Sequence, residues 1–195
     1  MAKVTGETSW ANLEQSIRSV PLLHERNGAA VYPYAEADIA LKLVDFESTT
    51  ASTLYVVKKC LQTQARLAAD LSSAGVDLLN LNGGIQITDD DGTVHNMIPP
   101  IIEEVPEHDK MVIDGQHRLY NGRKDMVHAF VAIAITNVNP EAAVYAYPNS
   151  WDEIVEYDEP PTDPTLKKRY RIEEPYTLYR DFSAVNGSTP REHAR

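Results

Sequence analysis

Between Pro99 and Val138 the apolar residues come in short runs, each cut by a turn residue. Pro99-Pro100 precedes Ile101, Ile102 and Val105, which read as a strand, and Glu107–Lys110 reads as a polar turn. Met111-Val112-Ile113 is a second short strand, broken by Asp114-Gly115-Gln116. A helix then starts at His117 with Leu119 on its inner face. Phe130, Ala132, Ile133 and Ile135 lie in an apolar run that fits a buried strand. The order is therefore strand, turn, strand, glycine turn, helix, strand. That order confines this stretch to folds in which a strand hands the chain directly to a helix start.

The remaining segments are arranged around that block. Trp10, Leu13, Ile17 and Val20 fall three to four apart, a short amphipathic helix with Ser9 as cap and Pro21 at its end. Asn27-Gly28 signals a turn, and Ala29–Tyr34 reads as a short edge strand. Leu54, Val57, Leu61, Ala65, Ala68 and Leu71 predict a long helix over about 50–74. Thr49, Thr50 and Ser52 are its candidate caps and Gly75 its terminator. Cys60 falls near its apolar face and reads as a structural thiol. Residues 83–98 predict a hairpin turning at Asp89-Asp90-Asp91-Gly92, and the spacing is not that of a calcium loop. Residues 139–195 have another texture: six acids and no bases over 151–163, then Lys167, Lys168, Arg169 and Arg171. That charge run reads as solvated rather than phosphate-binding. The cluster of Tyr176, Tyr179, Arg180, Asp181 and Phe182 reads as an anchor for this tail, in preference to a platform for stacking on a base. The expected division is a domain over 1–138, with its core motif at 96–138, and an extension over 139–195 packed on it.

Composition excludes several classes. At 195 residues with 43% hydrophobic and 24% charged residues, the chain is sized and composed like one globular domain. Eighteen bases against 29 acids give a net charge of −11, which opposes a broad grip on duplex DNA but not a pocket for a small anion. No apolar run reaches membrane-spanning length, and the first ten residues lack a signal-peptide core. No membrane partner is expected, and the expected location is cytoplasmic. The single cysteine excludes an internal disulfide, and His24, His95, His108 and His128 show no metal-ligand spacing.

The candidate chemistry lies at Asp114-Gly115-Gln116-His117-Arg118. Backbone N–H groups at a helix start have no intrahelical partner, and the helix dipole is positive there, so the position suits a phosphate. Gly115 lets a ligand approach the backbone, Arg118 offers a planar fork of donors, and His117 can donate or move a proton. Asp114 can cap the helix, hold magnesium or act as a base. The same five residues also read as a plain turn with an aspartate cap.

These five residues resemble the DGQHR signature of the ParB/sulfiredoxin superfamily. The resemblance covers roughly residues 96–138. It includes partition-protein N-terminal domains, sulfiredoxin, a free-serine kinase family, DGQHR-type regulators linked to DNA phosphorothioation and DGQQR-bearing restriction proteins. It implies a compact α+β, mixed-sheet domain with an inserted long helix and an irregular C-terminal extension. It also implies a cradle for nucleotide phosphates built from Gly115, Gln116, His117 and Arg118. Gln116 stands where sulfiredoxin-like repair needs a cysteine, so that activity is not expected. A partition protein would continue into further DNA-binding and dimerisation domains, and the second ParB nucleotide motif is missing after residue 138. The serine-kinase comparison fits size and acidity better and asks for a carboxylate base, for which Glu103 and Glu104 are the positional candidates. Of two adjacent strand residues, at most one should face the site. The expected ligands are a nucleoside triphosphate (ATP or CTP) with Mg²⁺ held by Asp114. The expected reaction is NTP hydrolysis or phosphoryl transfer to an unknown small-molecule acceptor. A DNA-associated nuclease or DNA-modification regulator, and a non-enzymatic nucleotide sensor, are the alternatives.

Overall fold

The computed structural model describes residues 1–104, 110–143, 146–166, 173 and 175–187. In chain order its elements are β1 (Lys3–Thr8), α1 (Trp10–Arg18), β2 (Asp38–Asp45), β3 (Thr49–Ala51), β4 (Tyr55–Val57) and α2 (Lys58–Ser72). There follow β5 (Gly84–Thr88), β6 (Val94–Met97), β7 (Ile101–Glu104), β8 (Lys110–Asp114), α3 (Gln116–Lys124) and β9 (Ala129–Thr136). The chain closes with β10 (Val155–Tyr157) and α4 (Ser183–Asn186). The fold is mixed α+β.

Five strands form the main sheet in the order β2-β9-β7-β8-β3. β9 pairs antiparallel with all eight residues of β2 and parallel with β7; β7–β8 is antiparallel and β8–β3 parallel. Both faces of this sheet are covered at β9, which is why that strand is apolar from Ala129 to Ile135 instead of alternating with polar residues. On one face Phe130, Ala132, Ile102 and Val112 meet Leu61 of α2 and Leu119 of α3. On the other, Ile133, Ile135 and Ile101 meet Leu13 and Ile17 of α1. A three-stranded sheet, β1-β5-β6, stacks on α2 through Leu67, Leu71, Ile87 and Met97.

Ser9 caps α1 as expected, its Oγ accepting from the Asn12 N–H at 3.4 Å. Gly75 ends α2 at φ +78°. The Gly75 N–H donates to Ser72 O and the Val76 N–H to Leu71 O, both at 3.0 Å, the paired bonds of a Schellman ending. Other expectations fail. Ala29–Tyr34 is no strand; among the described residues its ladder contact is an isolated bridge between Arg26 and Ala29 across the Asn27-Gly28 turn. The long helix starts at Lys58, because Thr49–Ala51 and Tyr55–Val57 are drawn into strands with β8 and β10. Cys60 is exposed, since the buried stripe of α2 runs through its neighbour Leu61. β2 and the third strand β1 of the hairpin sheet carry no expectation from the sequence.

Part of the C-terminal third enters the core. Trp151 stands edge-on to Phe46, and its Nε1–H donates to Thr49 O at 3.2 Å and Thr49 Oγ1 at 3.1 Å. Phe182 stacks on Tyr34, with ring centres 6.3 Å apart. The expectations for Val105, the Glu107–Lys110 turn as far as residue 109, His108, the 167–171 basic run and the Tyr176 side chain lie outside the described residues. Among the described residues, no helix is long and apolar enough to cross a membrane.

Candidate functional site

β8 ends at Asp114, and Gly115 turns the chain into α3 at φ +89°. An added Cβ there would lie 3.0 Å from Pro100 Cβ and 3.3 Å from Arg118 Nη2, so both conformation and space require glycine. Gly115 is also the N-cap, and without a side chain it caps none of the first-turn N–H groups. The turn opens into a cleft of about 410 Å³ whose lining includes Ser52, Thr53, His95, Asn96 and Asp114–Arg118. The far end of the chain completes it through Asn186, whose Nδ2 lies 3.5 Å from Asp114 Oδ2, and Gly187.

The expected cradle residues come together here, but several of their side chains are committed elsewhere. Gln116 Nε2 donates to Thr53 O at 3.0 Å and Tyr55 O at 3.3 Å, and its Oε1 accepts from the Thr53 N–H at 3.3 Å. It pins the β3–β4 connection against α3. His117 Nε2 accepts from the Val57 N–H at 3.0 Å, which leaves the ring proton on Nδ1 as a donor. Burial holds the His117 pKa below its ordinary value, with the Asp114 charge opposing, so the ring is neutral at pH 7.

Arg118 is buried. Its Nη1 donates to Leu78 O at 3.2 Å and Nη2 to Ile98 O at 2.6 Å. Among the described residues its Nε–H has no partner, and burial pushes its pKa down to about 10. Its guanidinium clamps two loops behind the turn and lends positive charge to the cleft, in place of the open phosphate fork the sequence suggests.

Neither carboxylate singled out as a base lines this cleft. Glu103 is fully buried on β7, where it accepts from Tyr34 Oη–H at 2.5 Å and lies 2.8 Å from Arg180 Nη2. Arg180 Nε also donates to Tyr34 Oη at 3.0 Å, and its other two nitrogens donate to Leu178 O and Ala142 O. Glu104 faces the other way and pairs with Lys42 at 3.4 Å. β7 lies inside the sheet, and neither side chain reaches the cleft: Glu103 is buried against Arg180 and Glu104 is partly exposed beside Lys42.

Asp114 is the one carboxylate among the described lining residues. Magnesium takes one or two carboxylates together with phosphate oxygens and waters. One aspartate beside an uncapped helix start would fit that donor set if phosphate oxygens supplied the remaining ligands. Among the described residues, no group of three His, Cys, Asp or Glu side chains is arranged to hold a metal unaided. The sequence reading missed His95, Asn96, Ser52, Thr53 and Asn186 as cleft residues. They arrive from three separate places, β6, the β3–β4 connection and α4, and no local pattern marks their meeting.

The match to known families runs along most of the chain. The family described as the ParB CE domain matches residues 12–155. The chain belongs to this family. The matched span of this ParB CE domain includes both helices that flank the cleft, the five strands of the main sheet and Trp151. No curated protein and no solved structure matches the chain.

Proposed function

We propose that this ParB CE domain binds a nucleoside triphosphate with Mg²⁺ and consumes it, by hydrolysis or by transfer of the terminal phosphoryl group to a small acceptor. The observation that carries this reading is the uncapped start of α3. Gly115, at φ +89° and packed on Pro100, leaves the first-turn N–H groups without a side-chain cap, in a cleft of about 410 Å³. Unpaired N–H groups and the positive helix end favour a phosphate, and that part of the cradle is backbone. The His117 Nδ1–H adds a neutral donor, and the buried Arg118 adds charge from behind.

Asp114 is the residue that would hold Mg²⁺, and the metal would supply charge neutralisation on the phosphates. Asn186 sits where it orients that carboxylate. Gln116 acts by holding the Thr53–Tyr55 wall in place.

The test is a thermal-shift panel of nucleoside triphosphates with Mg²⁺, run beside inorganic tripolyphosphate, on the wild type and on Gly115→Ala. Stabilisation by triphosphates that Gly115→Ala abolishes supports the reading. No shift with any triphosphate overturns it. Consumption of the bound nucleotide separates the enzyme from a sensor that only binds.

A further inference from the structure

A second histidine lines the same cleft, and its surroundings differ from those of His117. β6 carries His95 into the lining. Its Nε2 lies 2.9 Å from Asp89 Oδ2, across the hairpin turn. Arg66 of α2 grips both oxygens of the same carboxylate, with Nη1 2.7 Å from Oδ1 and Nη2 2.6 Å from Oδ2. The Asp89 side chain is only 7% exposed. The Arg66 guanidinium, and after it the His95 ring, hold the Asp89 carboxyl well below the usual carboxylate range. Asp89 is therefore ionised and can only accept. Nε2 of His95 donates to it, which in the neutral ring leaves the lone pair on Nδ1.

We propose that His95 is the general base of the cleft, with Asp89 and Arg66 as the residues that position it. The inference rests on the nucleotide reading above. A carboxylate on one ring nitrogen fixes the tautomer and orientation so that the other nitrogen accepts a proton. His117 cannot take this role, because its lone pair already accepts the Val57 N–H. Glu103 and Glu104 are outside the cleft.

The step is an in-line displacement. A water or acceptor hydroxyl oxygen bonds to the terminal phosphorus and gives its proton to His95 Nδ1. The bond from that phosphorus to the bridging oxygen breaks, and its electron pair leaves on the nucleoside diphosphate. The imidazolium then releases its proton to solvent.

The experiment measures triphosphate affinity and turnover on the full chain for the wild type, His95→Gln, His95→Ala and Asp89→Asn, with melting curves to establish folding. In His95→Gln, kcat should fall about 10²- to 10⁴-fold, the range for a lost general base, while nucleotide affinity stays within about twofold, or roughly 0.4 kcal/mol. Added imidazole should restore part of the turnover of His95→Ala. Asp89→Asn should lower kcat with little change in KM, because it misdirects the ring without removing it. Wild-type turnover in folded His95→Gln overturns the inference and leaves the nucleotide reading standing. A wild type that binds triphosphate without consuming it also overturns the inference. A wild type that binds no triphosphate removes both.

Discussion

Glu103 has no exposure, and its charge is balanced by a cation 77 residues away in sequence, Arg180 at 2.8 Å. Removing one partner of such a pair strands the other in a low-dielectric interior. Arg180→Ala should therefore destabilise the protein by about 3–5 kcal/mol in urea unfolding, and Glu103→Gln, which keeps the shape but leaves the Arg180 charge without its counter-ion, by a comparable amount. A loss under about 1 kcal/mol for Arg180→Ala would place it among exposed ion pairs. His117 supplies a pH test. Its pKa is held below the ordinary 6.5, chiefly by burial. As pH falls the unfolded chain takes up the proton first, so the stability linked to neutral His117 is complete above about 6.5 and drains away as pH drops through the lower folded value. Wild-type melting temperature should fall more steeply from about pH 7 to pH 5 than that of His117→Gln, which cannot titrate; parallel profiles would show that His117 is not the cause. At this scale the sequence located the turn and its residue types. It could not tell an open arginine from a clamping one, because Leu78 and Ile98 come from elsewhere in the chain. Arg180 was legible as an anchor, but its partner Glu103 was not.

Two glycines at element ends separate backbone strain from crowding. Gly75 and Gly115 both have positive φ, +78° and +89°. A Cβ on Gly75 meets nothing within 4 Å, whereas one on Gly115 meets Pro100 at 3.0 Å. Gly75→Ala should cost about 1–2 kcal/mol, the strain of a left-handed residue. Gly115→Ala should cost more, since Pro100 must also shift, and it should carry the start of α3 away from the cleft. Equal losses in chemical denaturation would mean that Pro100 yields freely. The helix and hairpin periods made α1, most of α2, β5–β6 and β7–β9 readable. A helix beginning near residue 50 starts too early because β3 and β4 are three residues each, too short to show a period of two. β2 hid for another reason: Ile39, Ala40, Leu41, Leu43 and Val44 put apolar residues at both parities, so no alternation stands out.

For the whole molecule, charge and cradle make opposite demands on two kinds of phosphate ligand. With a net charge of −11, a duplex faces repulsion over a broad surface, while a free triphosphate needs only the helix start. At 100 times its dissociation constant a nucleoside triphosphate with Mg²⁺ should stabilise the protein by about 2.7 kcal/mol, or roughly 5–11 °C in Tm for a chain of this length. Duplex DNA should bind weakly at about 150 mM salt and more weakly as salt rises. Submicromolar DNA binding in that buffer, with no shift from any triphosphate, would reverse the ranking.

The place of β9 also governs the order in which this chain can acquire its shape as it is made. The strand between β2 and β7 is the last of the main sheet to be synthesised, ending at Thr136. Until the ribosome has released it, β2 has no neighbour and the β7–β8–β3 ribbon keeps one raw flank. An unpaired strand edge recruits other chains. Fragments that stop short of Ala129 should therefore collect as aggregates, and those that carry β9 together with Trp151 and the Glu103 partner Arg180 should gain solubility abruptly, as a step and not in proportion to length.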